Sequence, residues 1–377
     1  MMMDYMARAL ELARQALGTT SPNPAVGAVL AKDGRIVGEG HTQPPGGPHA
    51  EVVAIEQAGD AARGSTLYVT LEPCRHFGRT PPCTKAIIDA GIREVRFSHE
   101  DPDPHGRGQA ARELREAGID VHAGEGEAEA RRINEAYIKQ RLTGLPFVIA
   151  KWAMSLDGKI AATSGDSRWV SGPETREWSH RLRTQIDAIM VGVRTILVDD
   201  PQLTARPGGA VPTGRQVDSG RQPLRIVADS RGRMPVTARV LDGPGRALLA
   251  TTEASSAVWR KQMAEAGAEV LVLPDVEGRV DVAELLRVLG ERQTLSLLVE
   301  GGGELLGSFF DCGLVDKMHA VIAPLVIGGR DAPAAVAGRG VERMAEALRL
   351  RDVVVDRLGE DTLATGYVTA DAARSRM

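Results

Sequence analysis

The sequence has little of what nucleic-acid binding, membrane insertion or disulfide formation requires. Aromatic residues make up only 3% of the chain and the formal net charge is −4, so basic patches and stacking side chains for nucleic acid are scarce. No apolar run reaches the roughly 18 residues of a membrane span, and the Met-Met-Met-Asp start lacks a secretory apolar segment. Three cysteines argue for a reducing compartment. We therefore expect a soluble cytoplasmic protein that acts on small molecules.

The remaining composition is that of an ordinary globular protein, with 43% hydrophobic and 25% charged residues. A length of 377 residues favours two domains. A charged helical stretch at 125–144 ends in a Gly/Pro-containing linker, and a new apolar strand begins at Phe147. We predict one domain at 1–145 and a second at 146–377.

Two of the three cysteines lie close in sequence to a His-x-Glu pair. His49 precedes Glu51 by two residues, and Cys74 and Cys83 each follow a proline. One imidazole and two thiolates suit Zn²⁺ and leave a fourth coordination position for water. This combination is a known signature of zinc-dependent deaminases, in which the metal lowers the pKa of water from about 15.7 to roughly 7 and the glutamate carries protons.

Two other interpretations of this segment stay open at the level of sequence. His76 is a candidate fourth ligand, and it would turn the site into a closed structural zinc in a scaffold or interaction protein. Alternatively, the chain is a deaminase of nucleosides or tRNA with a C-terminal ligand-binding domain. The acidic balance and the scarcity of aromatics argue against an RNA substrate.

Hydrophobic periodicity and turn residues predict a layered α/β architecture in both domains. The first domain is predicted to have helices at 4–17, 50–58, 84–90 and 109–117, and strands at 26–30, 35–38, 67–71, 94–97 and near 121. The second is predicted to have strands at 147–153, 188–193, 224–228, 246–251, 270–273 and 295–299, helices at about 173–185, 255–266 and 281–290, and a hairpin pairing 353–356 with 364–368. Residues 207–222 are rich in Gly, Pro, Gln and Arg and predict a surface loop.

The second domain contains a glycine turn between a strand and a helix, at 297–306. Backbone N–H groups at such a helix start can face a phosphate, although the spacing is not the dinucleotide fingerprint and a plain tight loop is the alternative. Cations, hydroxyls and an aromatic in 151–159, 167–169 and 191–206 suit an anionic ligand with a flat ring. We predict a nucleotide site here.

These segments resemble the bifunctional deaminase/reductase family of riboflavin biosynthesis. The resemblance rests on Glu72-Pro73-Cys74 through Cys83, on Pro22-Asn23-Pro24 upstream, and on the second-domain segments in the same order. It implies an N-terminal cytidine-deaminase-like α/β/α domain and a C-terminal dihydrofolate-reductase-like α/β domain. It also implies Zn²⁺ and NADPH as cofactors, and a homo-oligomer formed through the reductase domain. The expected reactions are deamination of a diaminopyrimidinone ribosylamino phosphate and reduction of its ribosyl chain.

The resemblance also assigns roles to individual residues. The zinc ligands would be His49, Cys74 and Cys83, and the proton shuttle would be Glu51. The pyrimidine and phosphate of the first substrate would contact Asn23, His41, His76 and Arg79. NADPH would contact Ala153, Trp169, Thr195, Asp199, Ser230, Gly302, Gly303, Glu304, Leu305, Leu306 and Gly307. The second substrate would contact Ser167, Arg183, Leu203, Arg206 and Glu300, with Lys151 beside the reacting sugar.

Two positions depart from the family pattern. Asp103 stands where the family usually has asparagine, and an aspartate would repel a substrate phosphate. Arg194 stands where glycine or another small residue is common. The sequence contains no unambiguous proton donor for the reduction, and we take Lys151 as the first candidate and Asp199 as the second.

Overall fold

The chain divides into two compact units, one ending at Gly144 and the other beginning at Leu145. The structure, a computed structural model, describes residues 4–75, 77, 81–103, 108–206 and 221–369. His76, Arg79 and residues 207–220 of the predicted surface loop at 207–222 lie outside these described residues.

The first unit contains a five-stranded sheet in the order β2-β1-β3-β4-β5. Its strands are β1 (Gly27–Lys32), β2 (Arg35–His41), β3 (Thr66–Val69), β4 (Glu94–Phe97) and β5 (Asp120–Ala123). Its helices are α1 (Tyr5–Ala16), α2 (Ala50–Ala58), α3 (Cys83–Asp89), α4 (Gln109–Glu116), α5 (Glu127–Ile133) and α6 (Glu135–Thr143). Strand β1 is antiparallel to β2 and β3, whereas β3, β4 and β5 are parallel.

Two glycines allow helices to lie directly on opposite faces of this sheet. A Cβ atom at Gly27 would lie 1.9 Å from the carbonyl oxygen of Ala9 in α1. A Cβ atom at Gly38 would lie 2.2 Å from the carbonyl oxygen of Ala54 in α2. Because any side chain would push the helices away, glycine fixes the α/β/α layering and the depth at which α2 presents its first turn.

The predicted elements of this unit are confirmed, with one correction. The charged stretch at 125–144 forms two helices, α5 and α6, that meet at Asn134 instead of one continuous helix. The buried Asn134 amide accepts from the Ala25 nitrogen and donates to the Ala25 oxygen, both at 2.9 Å. This side chain therefore satisfies the backbone of the loop that enters β1, and its position breaks the helix.

Replacing Asn134 by leucine, which has a similar volume, should destabilise the first unit. The buried N–H and C=O groups of Ala25 would lose their partners, and each unsatisfied group costs about 1–3 kcal/mol. We expect the free energy of unfolding to fall by about 2–5 kcal/mol, measured by scanning calorimetry of the full chain. Arg132→Gln, at an exposed position of α5, is the control. Equal stability of the Asn134→Leu and Arg132→Gln variants would contradict the prediction.

The second unit contains a nine-stranded sheet and a short hairpin. Its strands are β6 (Phe147–Ser155), β7 (Ala188–Gly192), β8 (Leu224–Ala228), β9 (Ala247–Thr251), β10 (Glu269–Val272), β11 (Asp275–Val276), β12 (Arg279–Val280), β13 (Ser296–Glu300), β14 (Lys317–Ala323), β15 (Leu350–Leu358) and β16 (Asp361–Val368). Its helices are α7 (Pro173–Thr184), α8 (Val193–Asp199), α9 (Ala257–Glu265), α10 (Val282–Glu291) and α11 (Gly303–Asp311).

The large sheet has the order β10-β9-β8-β7-β13-β6-β14-β16-β15. The strands from β10 to β14 are parallel, and the hairpin β15–β16 adds an antiparallel edge. The carboxyl ends of β7, β13 and β6 are therefore adjacent, in the kind of crevice where open α/β sheets bind ligands.

Most predicted elements of this unit are confirmed, including the terminal hairpin. Strand β14 was not predicted, because Lys317 and His319 interrupt its apolar pattern. The buried His319 lies opposite Thr365 of β16, whose hydroxyl is 2.9 Å from its Nδ1. In the described part of the chain, no helix combines the length and the apolar character needed to cross a membrane.

Candidate active sites

The three predicted metal ligands converge in the first unit. His49 occupies the N-cap position of α2, Cys83 is the first residue of α3, and Cys74 lies in the loop after β3. The His49 Nδ1 atom is 3.2 Å from the Cys83 Sγ and 3.5 Å from the Cys74 Sγ. All three ligand atoms lie within 4.8 Å of one another. Tetrahedral Zn²⁺ places N and S ligands about 3.5 Å apart, so this donor set fits zinc.

The charges around these ligands support metal binding and proton transfer. Hydrogen bonds from the Cys83 thiol and from His49 lower the pKa of Cys74 to about 4, which gives a thiolate. Glu51 is only 4% exposed in the first turn of α2, and burial raises the pKa of its carboxyl, with the Cys74 thiolate adding to the effect. A carboxyl that is easily protonated can both accept and donate a proton.

A cavity of about 130 Å³ opens at these ligands. Its described lining includes His49, Glu51, Cys74 and the predicted substrate residue Asn23. His41 lies in β2, half-buried, and is not part of this lining, while His76 and Arg79 lie outside the described residues. The roles of these four predicted substrate residues stay predictions.

Several further residues line this cavity to which the sequence alone assigned no role. They include Glu72, Asp101, Tyr137 and Arg141. The Glu72 carboxylate accepts hydrogen bonds from the backbone nitrogens of Asp101 (3.2 Å), Gly108 (2.9 Å) and Ala111 (3.1 Å), and so positions the cavity rim against α4. Positions 134, 137 and 141 have the three- and four-residue spacing of one helical face. This spacing could have indicated that one face of α6 points into the unit.

A larger cavity of about 490 Å³ lies at the carboxyl ends of β6, β7 and β13. Many of the residues that we predicted for NADPH and the second substrate share its lining. They are Lys151, Ala153, Ser167, Thr195, Asp199, Glu300, Gly302, Gly303, Glu304 and Leu305. Arg194, which departs from the family pattern, lies in the same lining.

The structure does not place the other predicted residues of the second unit in that lining. Trp169 is 70% exposed, with the Arg176 guanidinium 4.6 Å from its ring centroid. The Ser230 hydroxyl accepts from the Val280 nitrogen at 3.0 Å. The remaining predicted residues outside this lining are Arg183, Leu203, Arg206, Leu306 and Gly307. Their roles as ligand contacts remain predictions.

A buried ionic group forms one wall of this cavity. The Glu300 carboxylate contacts the Arg183 guanidinium, and its Oε1 atom is 3.9 Å from the Lys151 Nζ. Burial opposes ionisation of Glu300, but Arg183 and Lys151 outweigh it and lower the pKa of the carboxyl to about 2. Burial lowers the pKa of Lys151, and Glu300 partly opposes that shift. Within the described part of the chain, the buried Glu300 Oε1 accepts no hydrogen bond.

The glycine turn after β13 can accept a phosphate. Gly302 is the N-cap of α11 and provides no side-chain cap, so the first N–H groups of the helix lack a side-chain acceptor there. A Cβ atom at Gly302 would meet nothing within 4 Å, whereas one at Gly303 would lie 2.5 Å from the Ala334 oxygen. Gly303 is therefore required for packing, and Gly302 leaves space on the cavity side. This arrangement fits a nucleotide phosphate.

Together the two units define a two-domain deaminase and reductase. Residues 2–99 match the cytidine and deoxycytidylate deaminase zinc-binding region, and residues 146–364 match the RibD C-terminal domain. The chain belongs to the family of the riboflavin biosynthesis protein RibD. The match of its C-terminal half argues against the alternative in which that half only binds a ligand.

Relatives of known name cover almost the whole chain. It is 41% identical to the riboflavin biosynthesis protein RibD of Escherichia coli, over 95% of this chain and 96% of that protein. A solved RibD structure from Acinetobacter baumannii is 36% identical, covers 97% of this chain and 98% of its own, and has a TM-score of 0.86. A Thermotoga maritima structure, a diaminohydroxyphosphoribosylaminopyrimidine deaminase/5-amino-6-(5-phosphoribosylamino)uracil reductase, has the same identity and coverage and a TM-score of 0.83.

These findings confirm the fold class and the bifunctional assignment. The first unit is cytidine-deaminase-like, and the second has the dihydrofolate-reductase-like fold of RibD reductases. The chain combines a deaminase and a reductase of riboflavin biosynthesis.

Proposed function

We propose that the first unit deaminates 2,5-diamino-6-(5-phosphoribosylamino)pyrimidin-4(3H)-one by hydrolysis. The second unit would then reduce 5-amino-6-(5-phosphoribosylamino)uracil to the ribitylamino product with NADPH. The observation that carries this proposal is the convergence of His49, Cys74 and Cys83 beside a cavity that Glu51 also lines. The printed name of the solved Thermotoga maritima relative, at 36% identity, supports the two reactions.

In the deaminase unit, Glu51 would carry the protons. Zn²⁺ held by His49, Cys74 and Cys83 would supply an activated water. The Glu51 carboxylate would accept a proton from that water, transfer it to the ring nitrogen and then assist the departure of ammonia. Its almost complete burial limits the access of bulk solvent to this carboxyl.

In the reductase unit, Glu300 and Lys151 would bind the sugar, and Lys151 would also protonate it. NADPH bound along the glycine turn would supply a hydride to the sugar C1′ as the bond from C1′ to the ring oxygen breaks, and that oxygen would take up a proton. The Glu300 carboxylate lines the cavity and would accept a hydrogen bond from a sugar hydroxyl. The Lys151 ammonium, held beside Glu300, is our first candidate for the proton donor, and Asp199 is the second. Asp199 accepts a hydrogen bond from the Ser167 hydroxyl at 3.0 Å.

One assay tests both halves of this proposal. The purified chain is given zinc, NADPH and the diaminopyrimidinone ribosylamino phosphate, and the release of ammonia and the oxidation of NADPH are followed together. We expect one NADPH consumed for each ammonia released, with NADPH binding measured separately by its fluorescence. Ammonia release without NADPH oxidation would contradict the proposal for the second unit, and no ammonia release would contradict it for the first.

We further propose a homo-oligomer that assembles through the reductase unit. Strand β15 is an edge of the nine-stranded sheet, and Val353, Val354 and Val355 are at least half exposed on it. An exposed apolar edge strand favours pairing with another chain. Analytical sedimentation of the purified protein measures its oligomeric state. A monomer at micromolar concentration would contradict the proposal.

A cytoplasmic location is also part of the proposal. Cys74, Cys83 and Cys312 are all unpaired, as expected in a reducing compartment. Fractionation of the producing cells, with immunodetection of the chain in each fraction, would test this location.

A further inference from the structure

The deaminase cavity carries an excess of negative charge among its described lining residues. Glu51, Glu72, Asp101 and Asp103 contribute four carboxyl groups. Apart from the metal ligand His49, the cation in this described lining is Arg141. A cavity dominated by carboxylates repels an anionic ligand. A substrate that carries a phosphate therefore needs a compensating cation close to this cavity.

The Arg141 guanidinium is held in place and keeps capacity for a ligand. Its Cζ atom lies 5.1 Å from the centroid of the Tyr137 ring, one helical turn away on α6. One terminal nitrogen donates to the Pro22 carbonyl oxygen at 3.5 Å. Among the described residues, its buried Nε–H group has no hydrogen-bond partner. Because a guanidinium has five N–H donors, this arrangement leaves donors for a further acceptor.

A short series of contacts connects Arg141 to Asp103. The Tyr137 hydroxyl donates to the Asp101 Oδ1 atom at 3.2 Å, and the Asp103 backbone nitrogen donates to the same oxygen at 3.0 Å. Burial raises the pKa of the Tyr137 phenol, with the Asp101 and Asp103 charges adding to the effect and Arg141 opposing it. The charges of Arg141 and Asp103 therefore act on the same small region.

We infer that Arg141 is a substrate-binding and specificity residue of the deaminase cavity, where its guanidinium offsets the Asp103 carboxylate and admits an anionic pyrimidine substrate. This inference rests on the proposed deaminase function and deepens it. Arg79, a substrate contact that the family resemblance implies, lies outside the described residues, and Arg141 would add to its effect. Without Arg141, Asp103 would repel the substrate phosphate more strongly. The two residues consequently act as a pair, and the effect of changing one depends on the other.

A double-mutant cycle on the full chain tests this pair. Ammonia release is measured without NADPH, so that only the deaminase step is followed. Arg141→Met should raise KM about 10–100-fold with a smaller change in kcat, because it removes the charge that offsets Asp103. Adding Asp103→Asn to Arg141→Met should recover most of that loss, and Arg141→Lys should retain most of the affinity. The loss should also diminish as salt is added.

A second set of KM measurements uses the substrate without its phosphate. If Arg141 acts through charge, Arg141→Met should change the KM of the dephosphorylated compound much less than that of the phosphorylated one. Equal losses for both compounds would contradict the inference, as would an unchanged KM in Arg141→Met. The inference would also be contradicted if Arg141→Met raised KM as much in the Asp103→Asn protein as in the unchanged chain.

Two controls separate this inference from folding and from the proposed function. Zinc content and thermal unfolding are measured for every variant, and recovery in the double variant shows that Arg141→Met still folds. If the unchanged chain releases no ammonia, the proposed function fails. If the unchanged chain is active and the cycle shows no coupling, only the role of Arg141 fails.

Discussion

Replacing Glu51 by glutamine should abolish deamination and leave the metal site and the fold intact. Glutamine has the same shape but cannot carry a proton, and general acid–base catalysis contributes about 10²–10⁴-fold. We expect a loss of at least about 10³-fold in ammonia release from the diaminopyrimidinone substrate. The side chain is almost fully buried in the first turn of α2, so bulk solvent has little access to the position from which it would carry the proton.

The control for this prediction lies on the same helix. Glu56 is exposed on α2, and Glu56→Gln should leave ammonia release unchanged. Zinc content, measured by mass spectrometry, should be equal in both variants. NADPH oxidation with the already deaminated compound should also be normal. Substantial deamination by a zinc-loaded Glu51→Gln protein would show that another group moves the protons.

Replacing Lys151 by methionine should stop the reduction while the deaminase continues. Methionine fills a similar volume without a charge or a proton, and we expect NADPH oxidation with the deaminated substrate to fall about 10²–10⁴-fold. The carboxylate of Glu300 keeps Arg183 as its partner, so the buried acid is not left without a cation. Ammonia release should not change, because Lys151 belongs to the second unit.

The pH profile of the unchanged reductase provides an independent measurement. Burial lowers the pKa of Lys151, and its protonated form is lost as the pH rises through that lowered value. The rate should therefore decline on the alkaline side below the ordinary lysine pKa of about 10.4. Lys261→Met, on the exposed face of α9, is the matched control. Normal NADPH oxidation by Lys151→Met would transfer the role of proton donor to Asp199.

The deaminase ligands could be predicted from sequence because local structure positions most of them. His49 and Glu51 stand at the start of one helix, and Cys83 opens another. A helix start fixes the direction of its first side chains, so the residue types and their spacing were informative. Asp103 shows the limit of that reasoning, because the sequence indicated repulsion of phosphate but not the cation that could oppose it.

The cavity walls depended on contacts that cross the sequence. Asn134 binds the backbone of Ala25, 109 residues away, and Arg183 reaches Glu300 over 117 residues. Strand β14 was missed for a related reason. Its polar side chains have partners on a neighbouring strand, and a local hydrophobic pattern contains no information about that strand.

The sequence by itself predicted most of the helices and strands and the three candidate metal ligands, whose side chains the structure brings together. Those features depend on residue type and on neighbours within a few positions along the chain. Only the tertiary structure decided which charges share a cavity: Arg141 with Asp103 in one unit, and Lys151 with Glu300 in the other. Electrostatic energy depends on distance and on burial, and both are set when distant segments pack together.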